Sequence, residues 1–306
     1  MMSNLLAQWS TLSPVVLMQT LPAVSAVDLH QRAVWAHAVP KLLKSGQAQS
    51  TTGLLYFQNR NWDQAVAYYS QALCAFQTAK DAVAVGCTLT QLSVVFAHRQ
   101  QYRWAIDYAR QAVSCLGETD SQSAYGAALH NLGVAYYHRG RNRLALNALE
   151  KALALRNDLG DEVGETLTLG CMGRVYAALG QYWSALSCYK IALDAHYQHQ
   201  SMFEGSWYET TLRLRIARIA RKLGHLDLAI VHYQAALTLS HATSDTAQTA
   251  DILSELGQVH EDLHQCTTAL GYYQHAQQLM PDFEPLEGDR EVLENIFVSG
   301  LFSLHY

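Results

Sequence analysis

Between residues 127 and 197 the chain states one pattern twice. The run NLGVAYYHRGRNRLALNALEKALALR, beginning at residue 131, aligns with CMGRVYAALGQYWSALSCYKIALDAH, beginning at residue 171. Gly133 then falls on Gly173, Tyr136 on Tyr176, Gly140 on Gly180, Ala145 on Ala185 and Ala152 on Ala192, each pair 40 residues apart. Self-similarity at a fixed period points to a stacked array of equivalent units, because one such unit cannot bury its own apolar face.

Each copy reads as two amphipathic helices joined by a turn. Small residues at Gly133 and Gly173 suit a close crossing of helix axes, with a bulky residue such as Leu149 filling the gap beside it. Gly140 and Gly180 suit the left-handed position that ends the first helix. Extending the frame gives a small column of Gly53, Ser93, Gly133, Gly173, Ala217 and Gly257. Two alanine columns are complete, running Ala65, Ala105, Ala145, Ala185, Ala229, Ala269 and Ala72, Ala112, Ala152, Ala192, Ala236, Ala276. The spacing stays at 40 except for a step of 44 between Gly173 and Ala217.

This order of leucine, glycine, tyrosine, alanine, aromatic and alanine resembles the tetratricopeptide repeat, here in a 40-residue form longer than the usual period of about 34. The connector NDLGDEVGE is similar to that of the long-period, adaptor-like branch of the family. The resemblance implies an all-α, right-handed α-solenoid of six helix-turn-helix units across residues 46–281. Residues 1–45 are then an N-terminal segment and capping helix, with Asp28 as N-cap and helix over residues 28–45. Residues 282–306 form an acidic linker and a helix bearing Val292, Leu293, Ile296, Phe297, Leu301 and Phe302, suited to capping the sixth unit or to docking elsewhere.

Composition narrows the partners. Apolar residues make up 50% and charged residues only 15%, with a formal net charge of −5, so no global field attracts nucleic acid. The six cysteines carry no CxxC spacing and read as small buried hydrophobes in a reducing, cytoplasmic setting. No apolar run reaches the about 18 residues that a membrane span needs. The run over residues 14–26 is broken by Gln19 and Pro22 and has no Lys or Arg before it, unlike a signal peptide.

In this family the columns Leu54, Val94, Val134 and Phe57, Ala97, Tyr137 face a concave groove. In the early units that groove is apolar and aromatic, with His130, Asn131 and His138 as its polar groups. Later units change sign. Arg174 and Arg218 take the groove column that held valine, and the fifth unit's helix adds Arg213, Arg215, Arg221 and Lys222. Arg215, Arg218 and Lys222 share one helical face, and Arg221 joins Arg218 on the groove side. An insertion, HQSMFEGSWYE, places Met202, Phe203 and Trp207 in a loop just before this helix. A basic face is ordinarily solvated and neutralised by neighbours. The sharper reading is an anion-accepting patch for an acidic peptide or chain terminus. Glu255 and Glu261 occupy the columns of Arg215 and Arg221 and are expected to pair with them, leaving Arg174 and Arg218 without an acidic neighbour.

One motif argues for a different class. His260-Glu261-Asp262-Leu263-His264 matches HExxH, the zinc-protease helix, with Glu284 as a conceivable third ligand. The repeat frame accounts for it otherwise: His260 stands in the tyrosine column and His264 replaces the turn glycine. The expectation is therefore a non-enzymatic adaptor, scaffold or assembly factor that binds a protein segment in its groove, with no cofactor and no metal. A peptide-sensing regulator is the alternative, and a zinc hydrolase the remote one. The chaperone-tail clamp of some relatives is not supported, since its columns hold Thr90, Val94, Leu167, Cys171 and Thr211.

Overall fold

The computed structural model describes residues 26–198 and 207–280, with side chains from residue 38 onward. Those residues form twelve helices and no strand, so the fold class is all-α. In chain order they are α1 (Ala26–Gln58), α2 (Trp62–Ala79), α3 (Ala82–His98), α4 (Tyr102–Leu116), α5 (Gln122–His138), α6 (Asn142–Leu159), α7 (Glu162–Ala178), α8 (Tyr182–Gln198), α9 (Trp207–Lys222), α10 (Leu226–Thr243), α11 (Thr246–Asp262) and α12 (Cys266–Leu279). They pair as six helical hairpins.

Turn chemistry sets the hairpins. Gly140, Gly180 and Gly224 sit at φ 74, 74 and 77°, the left-handed region that glycine enters without steric cost. Arg60, Gln100 and His264 hold the equivalent turn positions at φ 57, 59 and 60°. His264 therefore does replace a turn glycine. Between hairpins, Lys80, Gly160 and Ser244 are left-handed, and the aspartate after each caps the next helix. Asp81, Asp161 and Asp245 accept from the backbone N–H of Ala84, Gly164 and Gln248, each at 2.9 Å.

Packing follows the small columns. All twelve residues of the two alanine columns are 0% exposed. Where the first helix has glycine, the second helix drives a large side chain against its backbone. Gly53 faces Tyr69, Gly133 faces Leu149, Gly173 faces Tyr189 and Gly257 faces Tyr273. Where the column holds Ser93, the opposing position is the buried Ala109, and the serine hydroxyl donates to the Ala105 carbonyl at 2.8 Å. Each hairpin thus fills the same volume in a different way.

The described residues fall into two compact units that divide between Ala128 and Leu129. In the first, Ala65, Tyr69, Leu92 and Val95 form one core cluster, with Tyr56, Phe57 and Trp62 packed against it. Leu89, Ala112, Leu116 and Ala128 form the next. In the second, Ala185, Tyr189, Ala192, Leu212 and Ile216 are central to one cluster, and Ala217, Ala229, Tyr233, Ile252 and Leu256 to another.

Four expectations are corrected. First, α1 begins at Ala26, so Asp28 lies inside the first turn and is not an N-cap. The helix then runs through residues 45–46 without a break. Gly46 does not interrupt it because the Phe76 ring packs 2.7 Å from where a Cβ would stand. Second, Trp207 opens α9 rather than lying in a loop, and it is 62% exposed. Third, Cys74, Cys87 and Cys266 are exposed and Cys115, Cys171 and Cys188 half-buried, rather than buried as small core residues. Fourth, the carboxylates of α11 choose other arginines than those expected, as described below. Met202, Phe203, Pro281 and the segment 282–306 lie outside the described residues. Among the described residues, no helix is long and apolar enough to cross a membrane.

Candidate functional site

The first helices of successive hairpins, α5, α7, α9 and α11, carry the basic and aromatic residues singled out above. Their register is not the sequence period. Arg174 lies over the ring of Tyr137 at 4.6 Å, Arg218 bonds Glu255, and Arg221 bonds Gln258; in each case the partners are 37 residues apart. A side chain on a helix leans toward the helix N-terminus and covers the turn before its own Cα. Arg218 accordingly reaches the rung where Glu255 stands, not the rung 40 residues on.

The ion pairs differ from those the columns suggest. Arg218 Nε donates to both oxygens of Glu255, at 2.8 and 2.9 Å, and Nη2 adds a further bond to Oε1. The pair raises the Arg218 pKa above its ordinary value, chiefly through that hydrogen bond. Arg221 Nε pairs with Asp262 Oδ2 at 2.5 Å. Glu261 is no partner of Arg221: its Oε2 accepts from the Tyr273 hydroxyl at 3.1 Å. The expected pairs of Glu255 with Arg215 and of Glu261 with Arg221 do not form.

Two arginines are left over. Among the described residues no carboxylate forms an ion pair with Arg174 or Arg215. The Nε of Arg174 is buried without a hydrogen-bond partner, while its Nη2 lies 3.4 Å from His138 Nε2. Burial and, secondarily, the Arg174 charge hold His138 below the usual histidine range. Arg215 hydrogen-bonds the phenol of Tyr189, and Arg174 acts on the same phenol by charge. Burial pushes that phenol up to about 12 despite both arginines, so it stays protonated and neutral. Both arginines also flank Cys171, whose thiol burial raises. Arg215, not Arg218, is therefore the uncompensated partner of Arg174.

Beside them lies an open-sided cavity of about 490 Å³. Its walls include Tyr189, Tyr233, Arg215, Arg218, Arg221, Lys222, Glu255 and Gln258. Lys222 Nζ sits 5.4 Å from the Tyr182 ring centroid, a cation–π distance. Four cationic side chains against Glu255 and Asp262 give this concavity an excess of positive charge. Such a place can hold an oxyanion by charge-assisted hydrogen bonds.

His130 serves another purpose. Thr168 Oγ1 donates to the Gly164 carbonyl and accepts from Arg156 Nη1, so His130 Nδ1, 3.1 Å away, must be the donor to it. That leaves His130 Nε2 to accept from the Cys171 thiol at 4.0 Å. Burial, then the Arg156 charge, depresses the His130 pKa to about 3, so the ring is neutral. His130 thus belongs to an internal network rather than to the groove. Asn131 is half-buried beside it and joins neither cluster.

The HExxH residues are dispersed. His260 stacks on Tyr272 at 5.2 Å, and its Nδ1 contacts Gln265 Oε1 at 2.7 Å. Asp262 is engaged by Arg221 and His264 occupies the turn. Among the described residues no three His, Cys, Asp or Glu side chains cluster as metal ligands; Glu284 lies outside them. The sequence reading missed Tyr189, Tyr233 and Cys171. A signal existed for the tyrosines, since they fall on the bulky column of Leu149.

Residues 124–198 and 208–282 match the family model for the tetratricopeptide repeat. This is a tetratricopeptide repeat protein. Its fold class is the all-α solenoid of that family, and its 40-residue period fits the repeat spacing. No curated protein matches the tetratricopeptide chain in sequence. Among solved structures it is similar to BtubC from P. vanneervenii, at 17% identity and a TM-score of 0.62, covering 74% of this chain and 94% of that one. PilF from Pseudomonas aeruginosa is similar at 18% identity and a TM-score of 0.58, over 78% of this chain and 94% of that one. A Rap protein complexed with Competence and Sporulation Factor is similar at 15% identity and a TM-score of 0.57, over 80% and 75% of the two chains. These likenesses show the fold.

Proposed function

We propose that this tetratricopeptide repeat protein is a non-enzymatic interaction module, and that its second unit takes an acidic segment of a partner protein at Arg174 and Arg215. One observation carries the reading: two arginines act on the same Tyr189 and Cys171 and, among the described residues, form no ion pair with a carboxylate, while Arg218 and Arg221 beside them are each paired. A planar guanidinium donates two parallel hydrogen bonds to a carboxylate. Tyr137 and His138 frame Arg174, and Arg218, Arg221 and Lys222 border the approach. His130 and Asn131, named from the sequence, have no part in the contact. The setting that fits best is cytoplasmic.

The test is affinity capture from the native host with crosslinking at low salt, comparing the unaltered chain with R174E/R215E and with R103E as a charge control. The expected result is loss of the captured protein in the double variant alone. An unchanged partner set in R174E/R215E overturns the basic site and moves recognition to the aromatic stretch around Tyr137. The regulatory reading draws on the Rap protein, which is complexed with Competence and Sporulation Factor. Under it, the captured species is a small signalling molecule rather than a protein.

A further inference from the structure

Between residues 282 and 294 the chain carries six carboxylates against a single Arg290. Removing that segment leaves 20 acidic and 20 basic residues in the rest of the chain, so the protein's whole formal charge of −5 resides there. The segment follows α12, whose last residues Leu279 and Met280 pack against Ala250 and Leu253 of α11. The neighbouring Ile252 lines a second cavity, of about 410 Å³, whose other walls include Arg215 and Arg218. The acidic run therefore follows a helix packed on α11, and α11 also lines the cavity that Arg215 and Arg218 border.

We propose that this acidic segment is an intramolecular occupant of the Arg174–Arg215 site, competing with the partner's acidic segment and so regulating access to it. The proposal rests on the functional reading above. Reach is sufficient: crossing from α12 past α11 to α9 is two helix spacings, about 20 Å, while 14 extended residues span up to about 46 Å. Charge decides the landing point. Asp245 and Asp251 on the nearer rim repel a further carboxylate, and Arg218 and Arg221 are already engaged by Glu255 and Asp262. Arg215 and Arg174 are the arginines left to receive it, with Lys222, held over the Tyr182 ring, at the border. Tethering gives the segment an effective concentration in the millimolar range, enough to compete with a partner free in solution. The apolar residues from Val292 onward remain available to cap α12.

The experiment compares three full-length chains: the unaltered one, one with the six carboxylates changed to Asn or Gln, and the latter combined with R174Q/R215Q. Neutralisation leaves the apolar residues of the segment, Val292 and Phe297 among them, unchanged in the sequence. The probe is fluorescein-labelled hexaglutamate, measured by anisotropy at about 0.15 M ionic strength, where the Debye length is about 8 Å. The expected result is at least fivefold tighter binding to the neutralised chain, abolished by R174Q/R215Q. Equal affinity for the first two chains overturns the proposal and leaves the basic site standing. Absence of hexaglutamate binding by all three, with each melting cooperatively, overturns the proposal together with the reading on which it rests.

Discussion

Arg218 grips the Glu255 carboxylate 37 residues further along the chain, three short of the sequence period. Arg221, one turn on, meets Asp262 instead, 41 residues further along, so the two ion pairs do not share one offset. The Arg218–Glu255 pair is also lopsided: the arginine side chain is 52% exposed and the glutamate 13%. Removing one partner is therefore not equivalent to removing the other. E255A releases Arg218 into solvent and is expected to change stability by less than about 1 kcal/mol. R218A strands a largely buried carboxylate near Tyr233 and Asp251, at a cost of about 1–3 kcal/mol. Denaturant unfolding of both variants checks this; equal costs contradict the asymmetry.

A Cβ at Gly173 would meet the Tyr189 ring at 2.5 Å, whereas one at Gly271 meets nothing within 4 Å. The ring is fixed in the core, so G173A is expected to destabilise by about 1–3 kcal/mol. G271A lies in an open helix position and should stabilise by up to about 1 kcal/mol. A185L, at a site with no exposure, should behave like G173A. Opposite signs for G173A and G271A in thermal melts are the expected outcome.

His264 and Gly180 occupy equivalent turns at φ 60 and 74°. An L-residue in this region carries a strain of about 1–2 kcal/mol, partly offset by the greater flexibility of an unfolded glycine. H264G is expected to leave stability unchanged or raise it by up to about 1 kcal/mol, and G180A to lower it by about 1 kcal/mol. A large loss in H264G indicates that the histidine side chain does more than hold a turn.

The neutral His130 makes stability pH-dependent. Its folded pKa, about 3, lies below the unfolded value of about 6.5, so the unfolded chain takes up the proton first as pH falls. The contribution is complete above pH 6.5 and is lost progressively as pH drops toward 3. Its full size is on the order of 3–5 kcal/mol. Urea unfolding of H130Q at pH 7.0 and 4.5 should show a shallower loss than the unaltered chain. Identical pH slopes remove His130 from the account.

The sequence by itself determined the helices, the hairpin pairing and the core columns. Ala145, Ala185, Gly133 and Gly173 are small because a helix axis passes too close for anything larger, and that demand recurs in every unit and so appears as a period. Left-handed turns at Gly140 and Gly180 were legible for the same local reason, whereas Gln100 and His264 hid theirs behind a residue that only tolerates the conformation. Gly46 misled in the opposite sense, because what makes it a packing glycine is Phe76, 30 residues away. Ion pairing was not legible. A column frame places residues along one helix, but which charges meet depends on the stagger between neighbouring helices and on the lean of long side chains. Tertiary packing alone brought Arg218 to Glu255, 37 residues on, and Arg221 to Asp262, 41 residues on, and among the described residues left Arg174 and Arg215 without a carboxylate.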